Sequence, residues 1–488
     1  MLDKLTALGG DNMRINSNLS AVITNNQLLG TEGSLADVME KLSSGFSINH
    51  ASDNPSGIAI AGKMQAQIEG LAQASTNGSD GISVLQTAEG ALNEVTDMIQ
   101  RMRELSVQAA NGTNSDYERE TIQKDLDSLL EEIDRVADTT EFNNINLLNG
   151  SLDNRTYAEH ATRIQTTKSV PAGVYQLTIT KASKRAEVTA NQPWPATLPM
   201  SGTIALNGKG IELFEGMSRE AVYEAMRDVC EKGAAVLSDP SATEPMTISS
   251  YKYGAKADLK IDFSSVEFAQ ALGFNATQVE NGATLQLVGE DAEIDLNKNP
   301  NVSMFGPQAT YRVDGNHIIV TDTKGFEMSF LAEAGFDTTV TDPNITNPGV
   351  INFNVTDIGS MTLHVGANKG QNMEVRIAAV TTEFMYIDDL SVTRVNGPED
   401  ALDSLTDALN YVTGVRSQLG AYENRLEHTT KSLDTTEENM TSAISRIEDA
   451  DMATTMVEYT KLNVLEQAGT SALAQANELP QLALQLLQ

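Results

Sequence analysis

Few side chains in this chain have the type and spacing that chemistry requires. Its five histidines are His50, His160, His317, His364 and His428. None lies in H-E-x-x-H, and no two are close enough in sequence to suggest a metal pair. The single cysteine, Cys230, rules out an intrachain disulfide and a zinc site built on Cys pairs. It falls on the apolar face of a predicted helix, where a buried thiol is inert. Gly202–Gly210, GTIALNGKG, only superficially resembles a phosphate loop: the spacing is wrong and Lys209 is followed by Gly. No G-x-S-x-G occurs. Carboxylate pairs such as Glu131-Glu132 and Asp388-Asp389 read as a solvated acidic face. Nothing here supports catalysis, and no cofactor is expected.

The elements behind these residues explain more. Among 488 residues, 33 Lys and Arg face 67 Asp and Glu, a formal charge of −34. Nucleic acid and anionic membrane both bind through positive charge, so neither is an expected partner. No apolar run is long enough to span a bilayer. The N-terminal MLDKLTALGGDNMRIN sets Leu2, Leu5 and Leu8 at helical spacing without the apolar run of a secretory signal. Of 13 prolines, 10 fall between Pro171 and Pro348. Proline is excluded from helix interiors, so two helix-permissive ends flank a helix-hostile middle.

Both ends carry heptad spacing. Ala61, Met64, Ile68 and Leu71 precede Leu85, Ala88, Leu92, Val95, Ile99 and Met102. Asn77-Gly78-Ser79-Asp80-Gly81 is a weak point between them. Ser115 and Glu118 form a capping box before Ile122, Leu126, Leu129, Ile133 and Val136. Gly397-Pro398-Glu399-Asp400 opens a third helix with Leu402, Leu405, Leu409, Val412, Val415, Leu419, Tyr422, Leu426 and Leu433 on one seam. Some fifty residues there make a rod of about 75 Å. A further amphipathic segment runs from Met452 to Leu479 and breaks at Pro480. In the middle, Asn207-Gly208, Asp314-Gly315 and GANKGQN (Gly366–Asn372) mark hairpins, and 218–236 reads as a helix with Val222, Met226, Val229 and Cys230 inward. A lone heptad helix is unstable in water, so each end must pack on the other, with the middle looped out between them.

The ends resemble bacterial flagellin. The resemblance rests on Met13–Asn18 (MRINSN), Lys41–Met64 (KLSSGFSINHASDNPSGIAIAGKM), Asp80–Val95 (DGISVLQTAEGALNEV), Gln100–Ser115 (QRMRELSVQAANGTNS) and Glu132–Leu148 (EIDRVADTTEFNNINLL). At the other end it rests on Leu419–Thr429 (LGAYENRLEHT), Ser445–Ala453 (SRIEDADMA) and Val464–Leu487 (VLEQAGTSALAQANELPQLALQLL). It implies a mainly α protein with an inserted α+β region. Residues 13–55 and 450–488 would form a helical inner core. Residues 56–150 and 356–449 would form a helical-bundle shell with a β-hairpin at 363–377. Residues 151–355 would form a variable, β-rich outer region.

The implied function is self-assembly into the flagellar filament, with export through the flagellar type III channel and no cleaved signal. Implied partners are other copies of the chain, an export chaperone on the C-terminal segment, the filament cap, hook-associated proteins and host Toll-like receptor 5. For that receptor the matching positions are Arg101, Arg103, Glu104, Leu105 and Gln108, with Leu105 expected in solvent beside Arg101. Asp125 stands where the family has Glu. Two more departures count. Phe46-Ser47-Ile48-Asn49 replaces the family's Leu-Arg-Ile-Asn and loses a charge, and residues 1–12 precede the family's usual start. Such an extension should hinder assembly unless it lies in the filament's central channel. Other readings are a hook–filament junction protein, a coiled-coil surface adhesin, and an enzyme displayed on the filament. The missing H-E-x-x-H argues against the last, and the missing secretory signal or anchor against the adhesin.

Overall fold

The computed structural model describes residues 18–167, 170–239, 244–275, 279, 283–340, 347–356 and 358–486. The expected N-terminal extension, residues 1–12, lies outside them. Seven α-helices are present among the described residues: α1 (Leu19–Ser44), α2 (Pro55–Ala110), α3 (Asp116–Thr139), α4 (Arg219–Lys232), α5 (Val266–Ala271), α6 (Gly397–Glu448) and α7 (Met452–Leu486). Their ends follow local chemistry. Asn18 caps α1, its side chain accepting from Ala21 N–H at 3.2 Å. Gly45 closes α1 in the left-handed region at φ 79° and donates to the Lys41 carbonyl. Asn54 accepts from Gly57 N–H ahead of Pro55. The Ser115 hydroxyl and the Glu118 carboxylate cap α3 reciprocally.

The chain forms two compact units. The first holds residues up to Ser79, His364–Asn372 and Glu427 onward. In it α1 packs on α7. The Asn18 carboxamide donates to the Ala476 carbonyl at 2.8 Å, and a Cβ on Gly469 would lie 3.2 Å from Leu28 Cδ1. Leu71, Ala74 and Leu433 form a small core with Ala367 and Met440. Ser75 Oγ donates to Asp434 at 2.7 Å and Asn77 to the His364 carbonyl at 3.0 Å. α7 runs past Pro480 to Leu486, where the sequence suggested a break.

The second unit spans Asp80–Leu363 and Met373–Leu426. The seam residues Leu85, Leu92, Val95, Ile99, Met102, Leu405, Val412, Leu419 and Leu426 are buried, while Leu409 is half-buried. Gln86 donates to Glu423 at 2.8 Å, and Arg416 pairs with Glu89 at 3.6 Å. α2 is unbroken through Asn77–Gly81, contrary to the weak point read there. Gly81 serves packing instead, since a Cβ there would lie 2.5 Å from Leu363 Cδ1 and 3.2 Å from Leu426 Cδ1. In α3 the buried set is Ile122, Leu126, Leu130, Ile133 and Ala137, not the strict heptad through Leu129 and Val136. A straight helix at 3.6 residues per turn drifts off a 3.5-residue seam within two turns.

The middle of the chain builds two hydrophobic cores. The first is a sandwich of two four-stranded antiparallel sheets. One sheet orders the strands Glu293–Leu296, Gly173–Lys181, Val350–Val355 and Thr156–Tyr157; the other orders Thr310–Asp314, His317–Thr321, Glu327–Ala332 and Ala161–Thr166. Tyr175, Leu177 and Ile179 meet Ile318, Val320 and Phe330 between them. The second core is inserted between Lys181 and Glu293 and packs α4 and α5 on strands including Gly202–Leu206 and Lys209–Leu213. The last two turn through Asn207-Gly208, both at positive φ. Val222, Met226, Val229 and Cys230 of α4 are buried. Lys209 pairs with Asp116 at 3.0 Å, and Lys252 with Asp400 at 2.7 Å.

Candidate functional site

The histidines are dispersed. His50 lies 3.0 Å from Glu40 and His160 2.6 Å from Glu333. His364 Nδ1 lies 2.5 Å from the Asn372 carboxamide oxygen, and His428 is exposed. The His317 ring lies tilted against Tyr386 with centroids 4.4 Å apart, and burial pushes its pKa down. Among the described residues no three His, Cys, Asp or Glu side chains are grouped to hold a metal ion. Burial pushes the Cys230 thiol up to about 12. No helix among the described residues is long and apolar enough to cross a membrane. A polar cavity of about 290 Å3 lies among Thr166, Glu327, Arg376, Tyr411 and Gly414. There the buried Arg376 guanidinium binds the Asp153 carboxylate and the Thr166 and Thr167 carbonyls. Burial raises the Asp153 pKa, against the pull of Arg376. These groups satisfy one another.

The α2 positions singled out from sequence divide by exposure. Arg101 and Glu104 pair at 2.9 Å with both side chains in solvent. Arg103, Gln108 and, on α3, Asp125 are also exposed. Leu105 is not: it is only 4% exposed, so the expectation of a solvent-facing leucine is corrected. It follows Met102 by three residues and precedes Ala109 by four, which puts it on the buried seam. The exposed apolar side chain of this stretch is Val107, at 57%. Its signal in the sequence is an apolar residue out of register with the seam. Where α2 ends, the Gln108 carbonyl accepts from Asn111 N–H and from the Asn114 carboxamide, fixing the turn into α3.

The larger apolar exposure is at the chain ends. α1 bears Leu19, Val22, Ile23, Leu29 and Met39 in solvent; α7 bears Met452, Met456, Val457, Val464 and Leu465. These lie outside the surface the two helices bury against each other. Apolar side chains left exposed in number on a helix mark surface that another chain can cover. Buried apolar seams on long helices, and terminal helices with apolar residues left in solvent, are features of a structural protein.

The comparisons with known proteins specify which. The bacterial flagellin N-terminal helical region matches residues 15–153, and the bacterial flagellin C-terminal helical region matches residues 402–487. The flagellin of Salmonella typhimurium is 30% identical over 511 residues, covering 97% of this chain and 99% of that one. Flagellin A of Vibrio cholerae is 30% identical over 476 residues, covering 98% and 100%. The flagellin of Clostridium tyrobutyricum is 32% identical over 471 residues, covering 96% and 99%. Among solved structures, FliC from Burkholderia pseudomallei is similar at 18% identity over 71% of this chain and 99% of that one, with a TM-score of 0.23. The chain belongs to the bacterial flagellins, and its function is that of a structural subunit of the flagellar filament, not an enzyme.

Proposed function

We propose that this flagellin polymerises through the apolar surfaces that α1 and α7 leave in solvent. The carrying observation is the exposure of Val22, Ile23, Val457 and Val464. Burying a valine or isoleucine side chain gains about 1.5–3 kcal/mol, so several per subunit drive association. In this reading residues 13–55 and 450–488 line the inner core, 56–150 and 356–449 form the shell, and 151–355 face outward. The chain leaves the cell through the flagellar type III channel, with a chaperone on its C-terminal segment, and works outside the cell. Cap and hook-associated proteins meet the filament at its ends. A single cysteine, which can form no intrachain disulfide, is compatible with passage as an unfolded chain. Arg101, Arg103, Glu104, Gln108 and Asp125 form the surface offered to Toll-like receptor 5, with Leu105 packed beneath it.

Electron microscopy of heat-depolymerised full chain after adding filament seeds tests the assembly reading. Long uniform filaments are expected. Monomers alone, or short capped ends, contradict a propagating subunit and favour a junction protein. For the receptor, an Arg101→Ala chain is expected to weaken the response of receptor-bearing reporter cells; an unchanged response contradicts that surface.

A further inference from the structure

The two outer faces of the β-sandwich differ. The sheet containing Ala161–Thr166 and His317–Thr321 is covered, since Gln165 donates to the Phe384 carbonyl and the Tyr386 ring packs against His317. The sheet ordered Glu293–Leu296, Gly173–Lys181, Val350–Val355 and Thr156–Tyr157 buries Tyr175, Leu177, Ile351 and Phe353 inward. Strand alternation therefore turns Val174, Gln176, Asn352 and Asn354 outward. In register, Tyr157, Asn354 and Val174 form one row and Asn352 and Gln176 the next. Met304 joins the first row, its N–H donating to the Val174 carbonyl at 2.9 Å. Tyr157 is 55% exposed, Met304 49% and Val174 45%.

The carboxamides on this face are held in a line. Asn297 donates to Gln176 Oε1 at 2.5 Å, and Gln176 Nε2 donates to Asn352 Oδ1 at 2.8 Å. Each carboxamide carries two donors and an acceptor, so the line keeps outward hydrogen-bonding capacity after its internal bonds are made. None of these rows contains a charged side chain.

We infer that this face binds an uncharged polysaccharide chain. Tyr157 supplies an aromatic platform for the apolar face of a sugar ring, and the fixed carboxamides pair with its hydroxyls. The row from Tyr157 to Val174 crosses three strands, about 10 Å, so it spans more than one sugar unit. Charge selects the occupant. A polyanion meets a chain of net charge −34, and a polycation finds no carboxylate in these rows. At the centre of the face the main chain is already used, because Gly173–Lys181 and Val350–Val355 are paired with each other and with flanking strands, so side chains rather than backbone do the recognition there.

The test is affinity electrophoresis of the full chain through gels containing dextran, galactomannan or hydroxyethyl cellulose, with anionic hyaluronan as the contrasting polymer. Retardation by at least one neutral polymer is expected. Tyr157→Ala and the isosteric Asn352→Asp each weaken it about tenfold, the equivalent of losing one stacked ring or one polar anchor. Tyr311→Ala, on the edge of the other sheet, leaves it unchanged. Circular dichroism melts identify any variant that has unfolded, and Asn352→Asp, which keeps the shape, stands in for a misfolded Tyr157→Ala. Retardation by none of the neutral polymers, by hyaluronan alone, or equally in wild type and both variants overturns the inference. So does sedimentation showing that Tyr157→Ala removes self-association, which would assign the face to a second copy.

Discussion

Gly81 tests how the long helices of the second unit pack. Alanine in a helix interior normally stabilises by about 0.5–1 kcal/mol over glycine, because glycine loses more backbone entropy on folding. At Gly81 the new Cβ lies 2.5 Å from Leu363 Cδ1 and 3.2 Å from Leu426 Cδ1. Leu426 is fully buried and has nowhere to swing; Leu363 is half-buried and gives way only in part. Overpacking of this kind costs about 1–3 kcal/mol. Gly81→Ala is therefore expected to destabilise by up to about 2.5 kcal/mol, the difference of the two effects. Gly90, further along the same helix, meets nothing within 4 Å. There the same substitution is expected to stabilise by about 0.5–1 kcal/mol. Denaturant unfolding of monomeric full chain, followed by circular dichroism, reads both midpoints. If Gly81→Ala raises the midpoint as far as Gly90→Ala does, the close approach at Gly81 is refuted.

Ser115→Ala is expected to cost about 1 kcal/mol by removing the α3 cap. The Ser115 backbone N–H and then its hydroxyl hold the Glu118 carboxyl below its ordinary pKa. That contribution is present above the unfolded-state pKa and is lost as pH falls through the folded one. Acid should thus narrow the stability gap between wild type and Glu118→Gln, and melting curves whose gap stays constant would contradict this. Leu105→Ala is expected to cost about 2–5 kcal/mol, as Leu92→Ala does, because both are buried. A loss below about 0.5 kcal/mol, typical of a surface residue, would return Leu105 to the exposed patch. Cys230 should resist iodoacetamide at neutral pH in the folded chain and react once denatured, and rapid labelling of folded protein would show that burial does not protect it.

What was legible in the sequence was local. The seam through Leu85, Leu92, Ile99 and Met102, the cap at Ser115, the Asn207-Gly208 turn and the buried face of α4 each declare themselves within a few turns of chain. What was missed depends on partners far away. Asn77–Gly81 has turn composition, but its glycines are there because Thr430 and Leu363 approach α2. Leu105 beside three charged residues reads as surface until the seam reaches it from Met102. The sandwich pairs Gly173–Lys181 with both Glu293–Leu296 and Val350–Val355, and no local signal marks strands so far apart in the chain. Of the α2 positions read from the sequence, the exposed Arg101, Arg103 and Glu104 were legible, while the exposed Val107 of the same stretch was not singled out.

Assembly turns on the apolar residues left in solvent on α1 and α7. The most direct test is the critical concentration for seeded polymerisation, measured by sedimentation, of wild-type chain against Val464→Asp. Val464 is 63% exposed in the single chain. In a filament contact the substitution forgoes about 1–2 kcal/mol of burial and adds the cost of desolvating a carboxylate. A critical concentration raised more than about tenfold is expected, with the melting curve of the monomer unchanged. Filaments forming at the wild-type concentration would contradict it.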